Sequence, residues 1–151
     1  MSNARTLPLF RGRSIGIALL VSVQFLVGAV HVFFGFWLLS ASAPLELLFS
    51  ESTPFVYSVY TVIFGSMTLL FTLGLWIGKS WGWFGTVSVS LFVTTVDALA
   101  LLNLPSIPGT PKFAAVSEIV YSVVLLLYMV QPHVRAKYQA SKSAAETEAI
   151  V

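Results

Sequence analysis

The amino-acid sequence predicts an all-α fold, a bundle of four transmembrane helices with both termini in the cytoplasm. Of its 151 residues, 57% are hydrophobic and only 9% are charged, whereas soluble domains carry about 25% charged residues. The apolar residues form four long stretches, at about 14–39, 55–77, 81–102 and 113–130. Each stretch is about as long as the 17–25 residues that cross a hydrocarbon core as a helix. If the four stretches cross the membrane in alternating directions, nearly all lysines and arginines lie on the same side of it. This bias predicts the orientation of the helices.

The residues between the stretches are of the kinds that end helices. The first stretch is the longest, so we expect it to tilt or protrude from the bilayer. Ala41-Ser42-Ala43 after it resembles a signal-peptide cleavage site, but the apolar run far exceeds the usual length of about 7–15 residues. Ser52-Thr53-Pro54 precedes the second stretch, and Gly78-Lys79-Ser80 separates it from the third. The third ends before a proline-rich connection at 104–111, after which the fourth begins.

The distribution of positive charge predicts a multi-pass protein of the cell membrane with cytoplasmic termini. If both termini and the turn at 78–80 share one side, that side carries every Lys and Arg except Lys112. Residues 1–134 then form the membrane domain, and residues 135–151 form a polar cytoplasmic tail. The net charge of +2 is small and the basic residues form no run, so we expect no nucleic-acid partner. The chain has no cysteine, which excludes disulfides and thiolate metal sites.

Three ionisable residues on three different helices are predicted to share one layer in the outer half of the membrane. His31 lies about 13 Å below the outer end of the first helix at 1.5 Å per residue. By the same measure Asp97 and Glu118 lie about 9 Å below the outer ends of the third and fourth helices. The whole predicted layer, with its hydroxyl-bearing neighbours, is His31, Tyr57, Tyr60, Thr61, Asp97, Glu118 and Tyr121.

Small and polar residues at helical spacing form a stripe on each helix, and these stripes predict that the layer points inward. Such stripes face other helices in membranes, because small residues allow close approach and polar side chains bond across the gap. The stripes comprise Gln24, Gly28, His31 and Gly35; Ser58, Thr61, Gly65, Thr68 and Thr72; Ser90, Thr94 and Asp97; and Glu118, Tyr121 and Ser122. Two carboxyl groups in so apolar a layer do not both ionise freely unless a cation or a protonated His31 neutralises one.

The sequence favours the first of three classes of function, with the second as the alternative and the third after it. The first is an accessory or structural subunit of a larger membrane complex, because the chain is small and has no catalytic motif. The second is a proton-coupled or small-molecule transporter that acts as a homo-oligomer, with Asp97 and Glu118 as proton-binding groups and His31 as a relay. The third is a metal- or quinone-binding component of a membrane enzyme. The expected partners are the lipid bilayer and other membrane subunits or further copies of this chain; no cofactor is identified, and no activity of its own is expected.

One stretch resembles a known kind of protein. The turn GLWIGKSWGW, from Gly74 to Trp83, resembles the turn between the second and third helices of small four-helix prokaryotic membrane proteins of unknown function. The later segments VDALALLN and SEIVYS add to the resemblance, which covers roughly the last two-thirds of the chain. It implies an uncharacterised archaeal or bacterial family of integral membrane proteins, and it assigns no catalytic residue.

Overall fold

The computed structural model describes residues 15–45 and 53–138, and every regular element in these ranges is a helix. The four long helices are α1 (Ile15–Leu45), α2 (Thr53–Trp76), α3 (Ser80–Leu101) and α4 (Lys112–Met129). A short helix, α5, covers residues 132–138. All four long helices contain a segment long and apolar enough to cross a membrane: Ile15–Ser40, Phe55–Trp76, Ser80–Leu101 and Lys112–Met129. The sequence predicts the same four segments to within one residue at each end; the cytoplasmic placement of the termini stays a prediction.

Helix boundaries follow the local sequence. α1 continues beyond its apolar segment to Leu45. α2 begins at Thr53, so Pro54 lies in its first turn, where a missing N–H breaks no helical hydrogen bond. At the other end of α2, Gly78 adopts a φ of 78°, a left-handed conformation that glycine accepts without a steric penalty. The amide of Lys79 donates to the carbonyl of Gly74 at 2.9 Å, and this bond closes the helix end before α3 starts.

The helices pack in chain order, α1 on α2, α2 on α3 and α3 on α4. Because consecutive helices are antiparallel, α1 begins where α4 ends; we call this the termini end of the bundle. The opposite end, where α1 joins α2 and α3 joins α4, is the loop end. α1 and α4 meet chiefly through side chains, as where the Tyr128 side chain covers Gly16 near the termini end. The bundle therefore closes on this side by side-chain contacts rather than by close backbone packing.

The termini end has an apolar core. Its buried members come from α1, α2, α4 and the segment after α4, and they are Ile17, Val21, Leu75, Leu125, Met129, Val134 and Tyr138. The Tyr138 hydroxyl donates to the carbonyl of Leu75 at 3.2 Å, and this hydrogen bond holds α5 against the end of α2. The predicted polar tail starts at residue 135, and its described part is helical as far as Tyr138. The remaining residues, 139–151, lie outside the described ranges.

Candidate intramembrane polar site

His31 is the link between α1 and α4 in the loop-end half of the bundle. Its Nδ1 lies 2.8 Å from the carbonyl oxygen of Val27 on the same helix, and its Nε2 lies 3.4 Å from Oε1 of Glu118. The ring also meets Phe64 of α2 edge-on, with centroids 4.9 Å apart and an interplanar angle of 78°. These three contacts fix the direction of the imidazole, so that Nε2 faces the carboxyl of Glu118.

Asp97 of α3 lies beside this pair and has a different environment. Its exposed fraction is 0%, against 8% for Glu118. Asp97 interacts electrostatically with both Glu118 and His31. Within residues 15–45 and 53–138, however, neither Asp97 oxygen has a hydrogen-bond partner, and Oε2 of Glu118 has none either. Three carboxyl oxygens are therefore buried at one site, where Asp97 and Glu118 are close enough to share a hydrogen bond when one of them carries a proton.

Two tyrosines of α2 extend the site toward the loop end. The rings of Tyr57 and Tyr60 lie 6.4 Å apart, and Tyr60 stacks on Phe64 at 6.1 Å with an interplanar angle of 12°. Both phenols lie within electrostatic range of the Asp97 and Glu118 carboxyls. The hydroxyl of Tyr60 is buried without a hydrogen-bond partner in the described part of the chain. It is thus a further group that could donate to or accept from a species bound at the carboxyls.

Of the seven residues predicted for the layer, Thr61 and Tyr121 differ from the rest. Thr61 is buried, but its Oγ1 donates to the carbonyl of Tyr57 at 2.7 Å, so the hydroxyl already has a partner within its own helix. Tyr121 lies one helical turn beyond Glu118, toward the termini end. Its side chain lines a small internal cavity together with Gln24, Thr86 and Ser90. The structure therefore brings together His31, Asp97, Glu118, Tyr57 and Tyr60, and it places Tyr121 in a second, deeper polar group.

The stripes of small and polar residues face inward. Every member is buried except His31, Thr94 and Tyr121, which are partly buried. Between α1 and α3, the stripe residue Gln24 donates from Nε2 to Oγ1 of Thr86 at 3.1 Å. Sequence reasoning missed this bond, and it missed Phe64 as the ring that positions His31. In an apolar helix, nothing in the sequence distinguishes a phenylalanine that lines a site from one that only packs against its neighbours.

The site combines two buried carboxyls with one imidazole, side chains that can bind and release protons. Among the residues that the structure describes, no group of three His, Asp or Glu side chains is arranged to hold a metal ion. Lys79 and Lys112 are the only Lys or Arg between Ile15 and Met129, and both lie at helix ends. His31 is therefore the one basic side chain inside the spans that can face the two carboxyls. An acid pair in such surroundings is neutralised by protons.

Comparison with known proteins identifies no relative. No protein-family model matches the chain. No curated protein and no solved structure matches it either. The resemblance of the Gly74–Trp83 turn to small prokaryotic membrane proteins stays a prediction.

Proposed function

We propose that this chain is a multi-pass membrane protein that binds and releases protons at His31, Asp97 and Glu118, and that it couples this exchange to transport as a homo-oligomer. The observation that carries the proposal is the fully buried Asp97 carboxyl, unpaired in the described structure, beside the His31–Glu118 contact. In the middle of a membrane an unpaired charged side chain costs at least about 2.5–3.5 kcal/mol. Binding of a proton to the carboxylate removes that cost, and release of the proton restores it. The energy of the site therefore depends on its protonation state.

The contacts of His31 support one shared proton for the pair. A carbonyl oxygen only accepts hydrogen bonds, so the 2.8 Å contact with Val27 requires a proton on Nδ1. The contact between Nε2 and Glu118 then needs one further proton, carried either by the imidazole or by the carboxyl. In either form the His31–Glu118 pair is neutral overall and holds one shared proton. It leaves no net positive charge to offset an ionised Asp97.

Asp97 is therefore the group whose charge the rest of the site does not compensate. When it carries a proton, its O–H can donate to Oε2 of Glu118, the unpaired oxygen of its nearest acidic partner. When it is ionised, the site carries one uncompensated negative charge in a low-dielectric layer. In a transport cycle, the difference in free energy between the protonated and the ionised site would shift the protein between two conformations.

The size of the interior supports a homo-oligomer for any solute larger than a proton. The cavity enclosed between the helices in the described ranges has a volume of about 10 Å³, roughly the space that one water molecule needs. This cavity thus has room for water but not for an organic solute. A second copy, or an opening of the bundle, has to supply the remaining walls of a larger path.

The test is proton flux into liposomes that contain the purified protein, driven by an imposed pH gradient and followed with an enclosed pH-sensitive dye. Asp97→Asn removes the exchanging proton with almost no change in volume, and we expect it to abolish the flux; Glu118→Gln should do the same. The control is Ser117→Ala, because Ser117 is exposed next to Glu118 and bonds only within its own helix. Flux that survives in a folded Asp97→Asn, Glu118→Gln double variant would remove the proposal.

The other two sequence hypotheses stay predictions. Purification in mild detergent from cells at native expression level, followed by mass spectrometry, tests the membrane-subunit hypothesis. Larger chains bound in fixed ratio would support an accessory role, whereas a homo-oligomer free of other chains would favour the transport proposal. An absorbance spectrum and a metal analysis of the same preparation test for a bound quinone or metal.

A further inference from the structure

A second polar site lies deeper in the bundle than the carboxyls. It is the internal cavity of about 10 Å³ between the four long helices, at the lower limit of the roughly 10–15 Å³ that one water molecule requires. Polar side chains from all four helices line it together with Phe64, Phe71, Val89 and Leu125, whereas cavities that stay empty are normally lined by apolar groups alone. The polar lining residues are Gln24, Thr68, Thr86, Ser90, Tyr121 and Ser122.

Two atoms in this lining are buried without a partner in the described structure, Oε1 of Gln24 and the hydroxyl of Tyr121. Gln24 has an exposed fraction of only 2%. Its Nε2 already donates to Oγ1 of Thr86, so the amide cannot turn to satisfy Oε1 without breaking that bond. Gln24 of α1 and Tyr121 of α4 both line this cavity, and each has one buried polar atom without a hydrogen-bond partner among the described residues. Buried polar groups left unpaired are destabilising.

We propose that one water molecule binds in this cavity, donating a hydrogen bond to Oε1 of Gln24 and accepting one from the Tyr121 hydroxyl. Its second hydrogen has an acceptor available among the lining hydroxyls, such as that of Ser90. This gives the water the two to four polar partners that bound waters have. The site does not depend on the proposed transport function, because it rests only on the cavity and the two unpaired atoms.

The position of this water gives it a role in holding the bundle together. α1 and α4 are neighbours that meet through side chains rather than close backbone packing. A water bound to Gln24 and Tyr121 bridges these two helices in the middle of the membrane. It would thereby couple α1 to α4 at the depth where an apolar groove, also lined by Tyr121, separates them on the outside.

The first experiment detects the water directly in the wild-type protein. In isotope-labelled protein in lipid bilayers, magnetisation transfer from water to the Tyr121 ring is measured by solid-state NMR. We expect transfer to Tyr121 and its loss in Gln24→Met, which keeps the side-chain length but removes the acceptor. An absence of transfer in the wild type, or transfer that is unchanged in a folded Gln24→Met variant, would overturn the proposal.

The second experiment needs no spectral assignment and keeps the proposal testable if one NMR sample fails. Gln24→Met, Tyr121→Phe and the double variant form a thermodynamic cycle in detergent unfolding. If one water bridges both groups, the double variant's unfolding equilibrium constant departs from the product of the single effects by at least about twofold. The matched control pairs Gln24→Met with Tyr128→Phe, because Tyr128 lines the outer groove and not the cavity. Coupling equal to that of the control pair would contradict the bridge.

Discussion

The substitution Gly65→Ala is the most direct test of the packing that positions His31. A Cβ added to Gly65 of α2 would lie 2.7 Å from the backbone nitrogen of Val32, 2.8 Å from the carbonyl oxygen of Gly28 and 2.9 Å from the Cβ of His31. The first two atoms belong to the backbone of α1, so no change of rotamer relieves the overlap. The helices themselves have to move apart.

The size of the effect follows from these distances. Ordinary contacts of a methyl carbon lie at about 3.5 Å or more, so α1 and α2 must separate locally by roughly 0.8 Å. Overpacking of this kind costs about 1–3 kcal/mol. The same shift displaces His31, whose Nε2 is already 3.4 Å from Glu118, longer than the roughly 2.7–3.2 Å of a normal N–H···O bond. We therefore expect the His31–Glu118 contact to break as well.

The assay is the free energy of unfolding, measured by titrating the protein from mild detergent into sodium dodecyl sulfate and following helix content. Ser66→Ala is the control, because Ser66 is the next residue, is exposed and bonds only to the carbonyl of Val62. We expect the control to stay within about 0.5 kcal/mol of the wild type, as surface substitutions usually do. If Gly65→Ala is equally mild, the close approach of α1 and α2 is refuted.

Three further predictions, which use four substitutions, rest on the same unfolding assay. Asp97→Ala and Glu118→Ala should be non-additive by about 0.5–3 kcal/mol because the two carboxyls interact; simple additivity would mean that they act independently. Gly82→Ala should lower the free energy of unfolding by about 1–3 kcal/mol or more, because the new methyl group would overlap the α2 backbone at Leu75. A neutral result would argue against that contact. Tyr138→Phe should cost about 0.5–1.5 kcal/mol through loss of the 3.2 Å bond to Leu75; no loss would show that α5 is not held by this bond.

The helices and their inward faces could be read from the sequence because both depend on strong, periodic signals. Apolar runs of membrane length are hard to accommodate in any other element. The spacing of Ser58, Thr61, Gly65, Thr68 and Thr72 repeats at three or four residues, and all five are buried in the structure. Helical geometry alone therefore places a residue on a face and at a depth to within about a turn.

The pairing of side chains between helices could not be predicted from the periodicity of the sequence. Whether Gln24 reaches Thr86, and whether Tyr121 joins the carboxyls or the deeper cavity, depends on helix rotation and on rotamers, which leave no periodic signal. The same limit applies beyond Arg135, where polar composition predicts a solvated tail. Only one aromatic residue of the described part, Tyr138, turns inward there to join the core. A single buried tyrosine is too small a signal to change the interpretation of a polar segment.

The distribution of buried polarity along the bundle constrains how the proposed function can operate. The buried groups at Asp97 and Glu118 lie in the loop-end half, whereas Leu75, Met129 and Tyr138 belong to the apolar core at the termini end. This core lies between the carboxyls and the termini end, and because most of its side chains are apolar, it offers few groups that could carry a proton. In the proposed function, the carboxyls therefore take up and release protons from the loop end in this conformation. In that proposal, release on the other side needs the termini-end core to separate, and because the Tyr138 hydroxyl is bonded to Leu75, α5 would have to move away from α2.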